Sequence, residues 1–211
     1  MRASPSYDRS KPVCRYLPGD YGWPSEREWN QLNRTTGGRL IRGTPLAEPC
    51  HRKGSGFASN VCMTIQDEWT LPETYYDDPT NVMSPYWLND SCSPFPASSL
   101  GCTPGNLAVY AVDVDSAATA AAGLRFAQEN NIRLSIKNTG HDYLGRSAGR
   151  GSLALWTHNL QETAVLNYSS TYYRGPAVKL GAGVQFSDAY AAAASHGLRV
   201  VGGYCPSRAT A

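Results

Sequence analysis

A strand–helix–strand pattern in the second half of the chain constrains the fold more than any other sequence feature. The apolar run Leu107–Val112 predicts a first strand, and Asp115 or Ser116 then caps a helix that continues to about Asn130. The alternating stretch Ile132–Lys137 predicts a second strand. A strand, a helix and a strand within about thirty residues form a βαβ unit, whose crossover is expected to be right-handed.

The apolar positions of this unit predict how the helix meets the sheet. Three helix residues recur at the spacing of one narrow stripe, namely Ala120, Leu124 and Ala127. Small alanine side chains on that stripe permit close packing on a sheet. In the second strand the apolar residues alternate and share one face, namely Ile132, Leu134 and Ile136.

The alternation of strands and helices continues beyond residue 150. Strands are predicted at Leu153–Trp156 and Ala177–Leu180, and an alanine-rich helix at Ser187–Ser195 is stopped by Gly197 as a C′ glycine. A further strand is predicted to start with Leu198–Val201. The predicted fold class is therefore α+β with an α/β-type lobe, built on a mixed sheet.

The first 105 residues differ in composition from the rest. They hold twelve of the fourteen Pro, four of the five Trp and five of the six Cys. Only two short helices are predicted there, Glu26–Leu32 and Cys62–Trp69, among turns and extended segments. We therefore divide the chain into a Pro/Cys-rich N-terminal arm, residues 1–105, and an α/β-type lobe, residues 106–211.

Cysteine spacing suggests that disulfides staple the arm. Cys92 and Cys102 flank a Pro- and Gly-containing stretch that suits a local loop closure, and Cys50 and Cys62 are similarly spaced. Six cysteines allow fifteen pairings, so the sequence leaves the connectivity open.

Composition and glycosylation signals bear on partners and compartment. The net charge of +2 provides no basic patch for nucleic acid, and no apolar run reaches the roughly 18 residues of a membrane span. Three N-glycosylation sequons begin at Asn33, Asn89 and Asn167. With the disulfides, they favour a secreted protein, expected to be a monomer, although Met1–Asp8 shows no apolar signal-peptide segment.

The segment after the second predicted strand carries the candidate chemistry. It lies at the carboxyl end of a βαβ strand, where α/β sheets bind ligands. Its glycines allow close backbone approach, and successive N–H groups in such a turn can bind phosphate. No P-loop and no GxGxxG motif is present. The candidate cofactor-binding residues are Lys137, Asn138, Thr139, Gly140, His141, Asp142, Tyr143, Leu144, Gly145, Arg146 and Ser147.

This loop resembles the pyrophosphate loop of the PCMH-type FAD-binding domain in the vanillyl-alcohol oxidase family, and more narrowly that of fungal berberine-bridge-enzyme-like oxidases. The family's motif positions are filled by Lys137, Gly140, His141, Tyr143, Gly145 and Ser147. Thr139 stands where many members carry a second glycine. Downstream, Gly202–Pro206 is similar to the family's Gly-x-Cys-Pro flavin loop, which adds Gly203 and Cys205 to the candidate residues.

The resemblance implies an oxygen-dependent, FAD-linked oxidase. His141 would be linked to the 8α-methyl carbon of FAD, and Cys205 would form a possible second thioether at flavin C6. In the family, hydride passes from a small-molecule substrate to the flavin, and the reduced flavin then passes its electrons to O₂, giving H₂O₂. Sugars, alcohols and secondary metabolites are the candidate substrates. In relatives the catalytic base lies downstream of these loops, so no catalytic residue is identified here.

Because the family's second flavin-binding lobe lies downstream of these loops in relatives, the resemblance implies that residues 106–211 are a partial PCMH-type domain. The chain alone is expected to bind FAD poorly and to be inactive. Two alternatives stay open at the level of sequence. Cys205 could instead pair with an upstream cysteine. The chain could also be a non-catalytic, disulfide-stapled secreted binding protein. No metal site is expected, because His51, His158 and His196 are scattered and no second ligand cluster lies at suitable spacing.

Overall fold

The computed structural model describes residues 14–51, 58–83, 85–88, 90–95 and 101–209. The strands are β1 (Leu40–Arg42), β2 (Tyr110–Asp113), β3 (Arg133–Lys137), β4 (Ser152–Trp156), β5 (Thr163–Ser169) and β6 (Arg174–Leu180). The helices are α1 (Glu26–Thr35), α2 (Ser59–Glu68), α3 (Glu73–Tyr76), α4 (Ala117–Glu129) and α5 (Phe186–Ala194). Two 3₁₀ turns span Glu48–Cys50 and Pro85–Leu88.

A mixed four-stranded sheet organises the molecule and confirms the predicted fold class. Its order is β1-β2-β4-β3, in which β2, β4 and β3 are parallel and β1 is antiparallel. The predicted βαβ unit is β2–α4–β3, and β4 lies between its two strands. The first strand is shorter than expected, since only its last residues and Asp113 form β2. Strands β5 and β6 form a separate antiparallel pair.

Helix α4 begins where the sequence indicates, and of its predicted stripe Ala127 is buried and Ala120 packs against the core, but Leu124 does not. Ser116 is the N-cap and forms a reciprocal capping box with Thr119.

The prediction that Leu124 packs on the sheet is wrong, because its side chain is 52% exposed. Gly123 packs on the sheet instead, and a Cβ placed there would lie 2.6 Å from the Leu155 side chain. Because Gly123 has no side chain, helix α4 can approach the sheet closely enough to bury this face of the helix.

Strand β3 also differs from the simple alternating pattern. Ile136 is 59% exposed, whereas the residues on the opposite face, Ser135 and Lys137, are buried. The Ser135 hydroxyl lies 3.0 Å from the Ser152 hydroxyl, and the Lys137 ammonium binds carbonyl groups of the arm. Strand β4 and the arm therefore cover the end of the polar face of β3, which periodicity alone assigns to solvent.

The end of α5 shows why the last predicted strand does not form. Gly197 has φ +68° and confirms the predicted C′ glycine. The Leu198 N–H donates to the Ala193 carbonyl oxygen at 2.9 Å, so the start of the predicted strand belongs to the helix end. Val201 is fully exposed. Leu198–Val201 is therefore an irregular segment, and the strand prediction is wrong.

The arm contributes directly to the main sheet and its core. β1 pairs with β2, and helix α1 buries Trp29 and Leu32. The Trp29 ring lies 4.4 Å from the Tyr110 ring and 4.7 Å from the Phe126 ring, measured between centroids. Arm and lobe thus share one hydrophobic core on the α4 side of the sheet.

Two disulfides confirm the local pairings that spacing suggested. Cys50 bonds to Cys62 and Cys92 bonds to Cys102, while Cys14 and Cys205 are free thiols. His51 lies beside Cys92 and Cys102, but both of these sulfurs are held in the disulfide. None of the helices in the described part of the chain has the length and apolar character to cross a membrane.

Candidate functional site

The candidate loop leaves the carboxyl end of β3, as the sequence predicts, and turns sharply at two glycines. Gly140 has φ +94° and Gly145 has φ +72°, a region that residues with a Cβ rarely adopt. At Gly140 a Cβ would lie 3.2 Å from the Lys137 side chain and 3.5 Å from the Asn81 carbonyl oxygen. The backbone of the loop is therefore pressed against the arm.

Lys137 connects the loop to the arm through hydrogen bonds. Its fully buried ammonium donates to the carbonyl oxygens of Tyr75 at 2.9 Å, Asp78 at 2.6 Å and Asn138 at 3.3 Å. Burial lowers the pKa of Lys137 to about 8, against the opposing effect of the nearby Asp78 charge. The role of Lys137 that the structure shows is to hold the loop on helix α3 and the turn that follows it.

Trp87 supports the far side of the loop. Its indole N–H donates to the Tyr143 carbonyl oxygen. A Cβ added to Gly145 would lie only 2.8 Å from its ring. The Asn106 side-chain amide donates to the Trp87 carbonyl oxygen at 2.7 Å. Nothing in the sequence pattern of the arm singles out Trp87, because the contact joins segments more than fifty residues apart.

Asp142 fills part of the loop's concave side with its own carboxylate. It accepts the backbone N–H groups of Leu144 at 2.9 Å and Ser147 at 2.7 Å. Burial opposes ionisation of Asp142, but these and further N–H donors hold its pKa below the ordinary value. The nest that the sequence predicts for phosphate in this half of the loop is therefore occupied by a carboxylate of the chain itself.

The first half of the loop keeps its donors unpaired. Among the described residues, the backbone N–H groups of Thr139, Gly140 and His141 meet no hydrogen-bond acceptor, and Thr139 and Gly140 are buried. The Asn138 side-chain oxygen is also buried without a partner, while its amide donates to the Ala182 carbonyl oxygen. Three N–H donors suit a pyrophosphate, and the orphaned oxygen suits a hydroxyl donor. This donor set fits FAD.

The structure brings His141 and Cys205 together although 64 positions separate them. His141 Nε2 lies 3.1 Å from the Ser207 hydroxyl, and the same hydroxyl lies 3.6 Å from the Cys205 sulfur. Burial lowers the pKa of His141, and the positive charge of Arg208 lowers it further. His141 is therefore a neutral imidazole near pH 7, which is the form that can act as a nucleophile or base.

Tyr76 lies beside His141 and connects it to the buried His158. The Tyr76 ring lies 6.4 Å from the His141 ring and 6.2 Å from the His158 ring. His158 is buried, stacks on Trp156 at 6.0 Å and has a pKa lowered by burial and by the Lys137 charge. Neither Tyr76 nor Ser207 stands out in the sequence, and the only signal for Ser207 is its place two residues after Cys205.

The remaining predicted site residues lie at the surface. Tyr143 is 73% exposed and Leu144 is 61% exposed. Arg146 and Gly203 are exposed too, and the Tyr190 hydroxyl donates to the Gly203 carbonyl oxygen. An open groove of about 1090 Å³ is lined by Trp87 and Asn106 together with Arg42 and Arg150, and neither His141 nor Cys205 lines it. We therefore place the candidate site at His141 and the unpaired donors.

The sequence is similar to a domain family and to named fungal flavoproteins. Residues 108–209 match the FAD binding domain family. VAO-type flavoprotein oxidase VAO615 of Thermothelomyces thermophilus is 48% identical over 199 residues, which cover 93% of this chain and 35% of that protein. FAD-linked oxidoreductase patO of Aspergillus clavatus is 43% identical over 203 residues, which cover 96% and 35%.

Two crystal structures share the fold. VAO-type flavoprotein MtVAO615 from Myceliophthora thermophila C1 superposes with a TM-score of 0.89 at 47% identity, covering 93% of this chain and 36% of that one. MtVAO713 from the same organism gives 0.85 at 32% identity, covering 94% and 36%. The chain spans about a third of the length of the relatives it matches. From its fold, its loop and these similarities, the chain is similar to VAO-type flavoproteins over about a third of their length and carries FAD-binding-domain sequence over residues 108–209.

Proposed function

We propose that residues 1–211 hold FAD covalently through His141, and through Cys205 as a second attachment, as part of an oxygen-dependent oxidase. The observation that carries the proposal is the approach of His141 and Cys205 to one shared hydroxyl, that of Ser207. A neutral imidazole and a thiol are the two nucleophiles that would form such links. Both lie beside the loop whose backbone donors are unpaired.

Each group of the site has a defined task in this proposal. When bound, FAD supplies hydride acceptance from a substrate carbon and electron transfer to O₂. The N–H groups of Thr139, Gly140 and His141 would hold the pyrophosphate, and the Asn138 oxygen would accept a hydroxyl of the cofactor. Lys137 and Trp87 hold the loop rigid, so that His141 stays oriented. Ser207 keeps the imidazole in place by its hydrogen bond to Nε2.

Substrate, product and compartment follow from the same proposal. The substrate is a small molecule, either a sugar, an alcohol or a secondary metabolite, and the reduced oxygen product is H₂O₂. Secretion is supported by the two disulfides, which persist in oxidising compartments. Of the sequon asparagines, Asn167 lies exposed on β5, whereas the Asn33 side-chain oxygen accepts the Leu40 N–H at 3.1 Å.

Covalent attachment is tested on the 211-residue chain itself. The chain is incubated with excess FAD, denatured and weighed by intact-protein mass spectrometry. We expect a gain of one FAD mass and absorbance near 450 nm, even if reversible affinity is weak, because an irreversible link accumulates. His141→Ala should abolish the stable adduct, and Cys205→Ala should leave a singly linked one.

The controls distinguish the alternatives. Cys14→Ala removes the other free thiol and should leave the adduct unchanged. An adduct kept in His141→Ala but lost in Cys205→Ala would move the attachment to the thiol alone. A colourless, stably folded and monomeric chain with no mass gain would contradict the proposal and favour a non-catalytic binding protein.

A further inference from the structure

Ser207 lies between the two nucleophiles in a geometry that suits proton transfer. Its oxygen is 3.1 Å from His141 Nε2 and 3.6 Å from Cys205 Sγ, so one hydroxyl can donate to the imidazole while it accepts from the thiol. We infer that Ser207 relays the thiol proton of Cys205 to His141 and thereby activates Cys205 as a thiolate. The purpose of this activation rests on the proposed function, but the relay itself does not require FAD.

The relay is balanced as a double proton transfer. The Cys205 S–H proton passes to the Ser207 oxygen, and the Ser207 hydroxyl proton passes to His141 Nε2. A thiolate and an imidazolium result, the serine is regenerated, and no electron changes place. Such a pair resembles the Cys–His arrangements that activate thiols elsewhere, with a hydroxyl inserted between the partners.

The turn that carries Ser207 is fixed to the start of helix α5. The Phe186 N–H donates to the Arg208 carbonyl oxygen at 3.0 Å, and the Ser187 N–H donates to the Pro206 carbonyl oxygen at 3.1 Å. Within the turn, the Arg208 N–H donates to the Cys205 carbonyl oxygen at 3.3 Å. Three backbone hydrogen bonds therefore hold the serine in its position between the thiol and the imidazole.

The charged and titratable groups around the relay favour a neutral acceptor. Arg208 opposes protonation of His141, whereas Glu73 favours it. Burial raises the pKa of Tyr76 against the opposing effect of a side-chain hydrogen bond to Ser207, so this phenol stays neutral near pH 7 and is a further partner of the relay hydroxyl. The groups that face Cys205 and His141 are thus Tyr76, Glu73 and Arg208. A neutral imidazole at Nε2 is the state in which the relay can accept a proton.

The test measures thiol reactivity in the chain without FAD. All variants carry Cys14→Ser, which leaves Cys205 as the single free thiol. Alkylation of Cys205 by iodoacetamide is followed by mass spectrometry from pH 5 to 9. Ser207→Ala should slow the reaction at least about tenfold at pH 7, because the thiol then loses general-base assistance from His141. Its rate should also lose the pH dependence that protonation of His141 gives the parent chain.

Further variants separate a relay from simple structural support. Ser207→Thr retains the hydroxyl and should restore most of the rate. His141→Gln should slow alkylation as much as Ser207→Ala, and the double variant should be no slower than either. Ser195→Ala, at the exposed end of α5, is the matched serine control and should have no effect.

Two results would overturn the relay. One is an unchanged rate and pH profile in Ser207→Ala. The other is a slow Ser207→Ala variant beside a normal His141→Gln variant, which would make the serine a mere packing residue. Because FAD is absent from this assay, a chain that fails to gain flavin mass can still show the relay, and the reverse also holds.

Discussion

A lysine that is completely buried beneath the candidate loop carries an electrostatic cost. Lys137 donates to three backbone carbonyls, and burial lowers its pKa from 10.5 to about 8. The folded state therefore binds fewer protons than the unfolded state between these two values. Stability should rise with pH across this window, since the cost of the buried charge is present below pH 8 and relieved towards pH 10.5.

We predict that this pH dependence disappears in Lys137→Met. Relative to that variant, the free energy of unfolding of the unmodified chain should rise by about 3 kcal/mol between pH 8 and 10.5, as the pKa shift implies. Urea unfolding at several pH values measures the difference, and the other titrating groups cancel. Parallel pH profiles for the two proteins would contradict the assignment of the low pKa to Lys137.

At the scale of elements, the contact between the 3₁₀ turn Pro85–Leu88 and the loop depends on a missing side chain. Gly145 has φ +72°, and a Cβ added to it would lie 2.8 Å from the Trp87 ring. We predict that Gly145→Ala destabilises the chain by about 2–4 kcal/mol, from left-handed backbone strain together with overpacking. Urea unfolding followed by circular dichroism checks the value.

A matched glycine separates the two causes. Gly38 has φ +84°, but an added Cβ would have nothing within 4 Å. Gly38→Ala should therefore cost only the backbone term, about 1–2 kcal/mol. If both alanine variants lose the same stability, the Trp87 ring does not restrict the loop, and its support of the site is refuted.

Elements with strong local signals could be predicted from the sequence. Ser116 caps α4, Gly197 ends α5, and the two disulfides join cysteines that are close in the chain. The buried faces could be predicted only in part: Ala127 and Ile132 are buried as expected, whereas Leu124 and Lys137 are placed by their packing partners. Strand β1 has three residues, too few for a periodic signal. The strand expected at Leu198–Val201 fails because a helix cap takes its first N–H group.

The candidate site divides along the same line. His141 and Cys205 could be named from loops that resemble a known family, but their approach through Ser207 is a long-range contact that spacing does not encode. The arm holds the loop in place through the carbonyl groups that accept from Lys137 and through Trp87. These residues lie in segments that contain no recognisable motif. The reactive residues can therefore be predicted from the sequence, but the long-range contacts that position them cannot.

At the scale of the whole molecule, arm and lobe are joined through one aromatic cluster. Trp29 of α1 is 4% exposed and contacts Tyr110 of β2 and Phe126 of α4. We predict that Trp29→Ala lowers the free energy of unfolding by about 3–5 kcal/mol. The remaining structure should still unfold in one step, with coincident transitions by far-ultraviolet circular dichroism and by tyrosine and tryptophan fluorescence.

The exposed Arg27 on the same helix provides the control. Arg27→Ala should change stability by no more than about 0.5 kcal/mol, as surface substitutions do. If Trp29→Ala instead gave two separate transitions, arm and lobe would be independent folding units, in conflict with their shared sheet and core.

Because Lys137 is buried under the arm, chemical labelling of its amine can report how often the arm opens. An amine-reactive reagent can modify the exposed Lys179 of β6 directly, whereas it reaches Lys137 only after helix α3 and the following turn lift from the sheet. The labelling rate at this one position therefore measures how often the arm detaches. Any ligand that clamps the loop should slow that rate, so docking can be followed without an enzymatic assay.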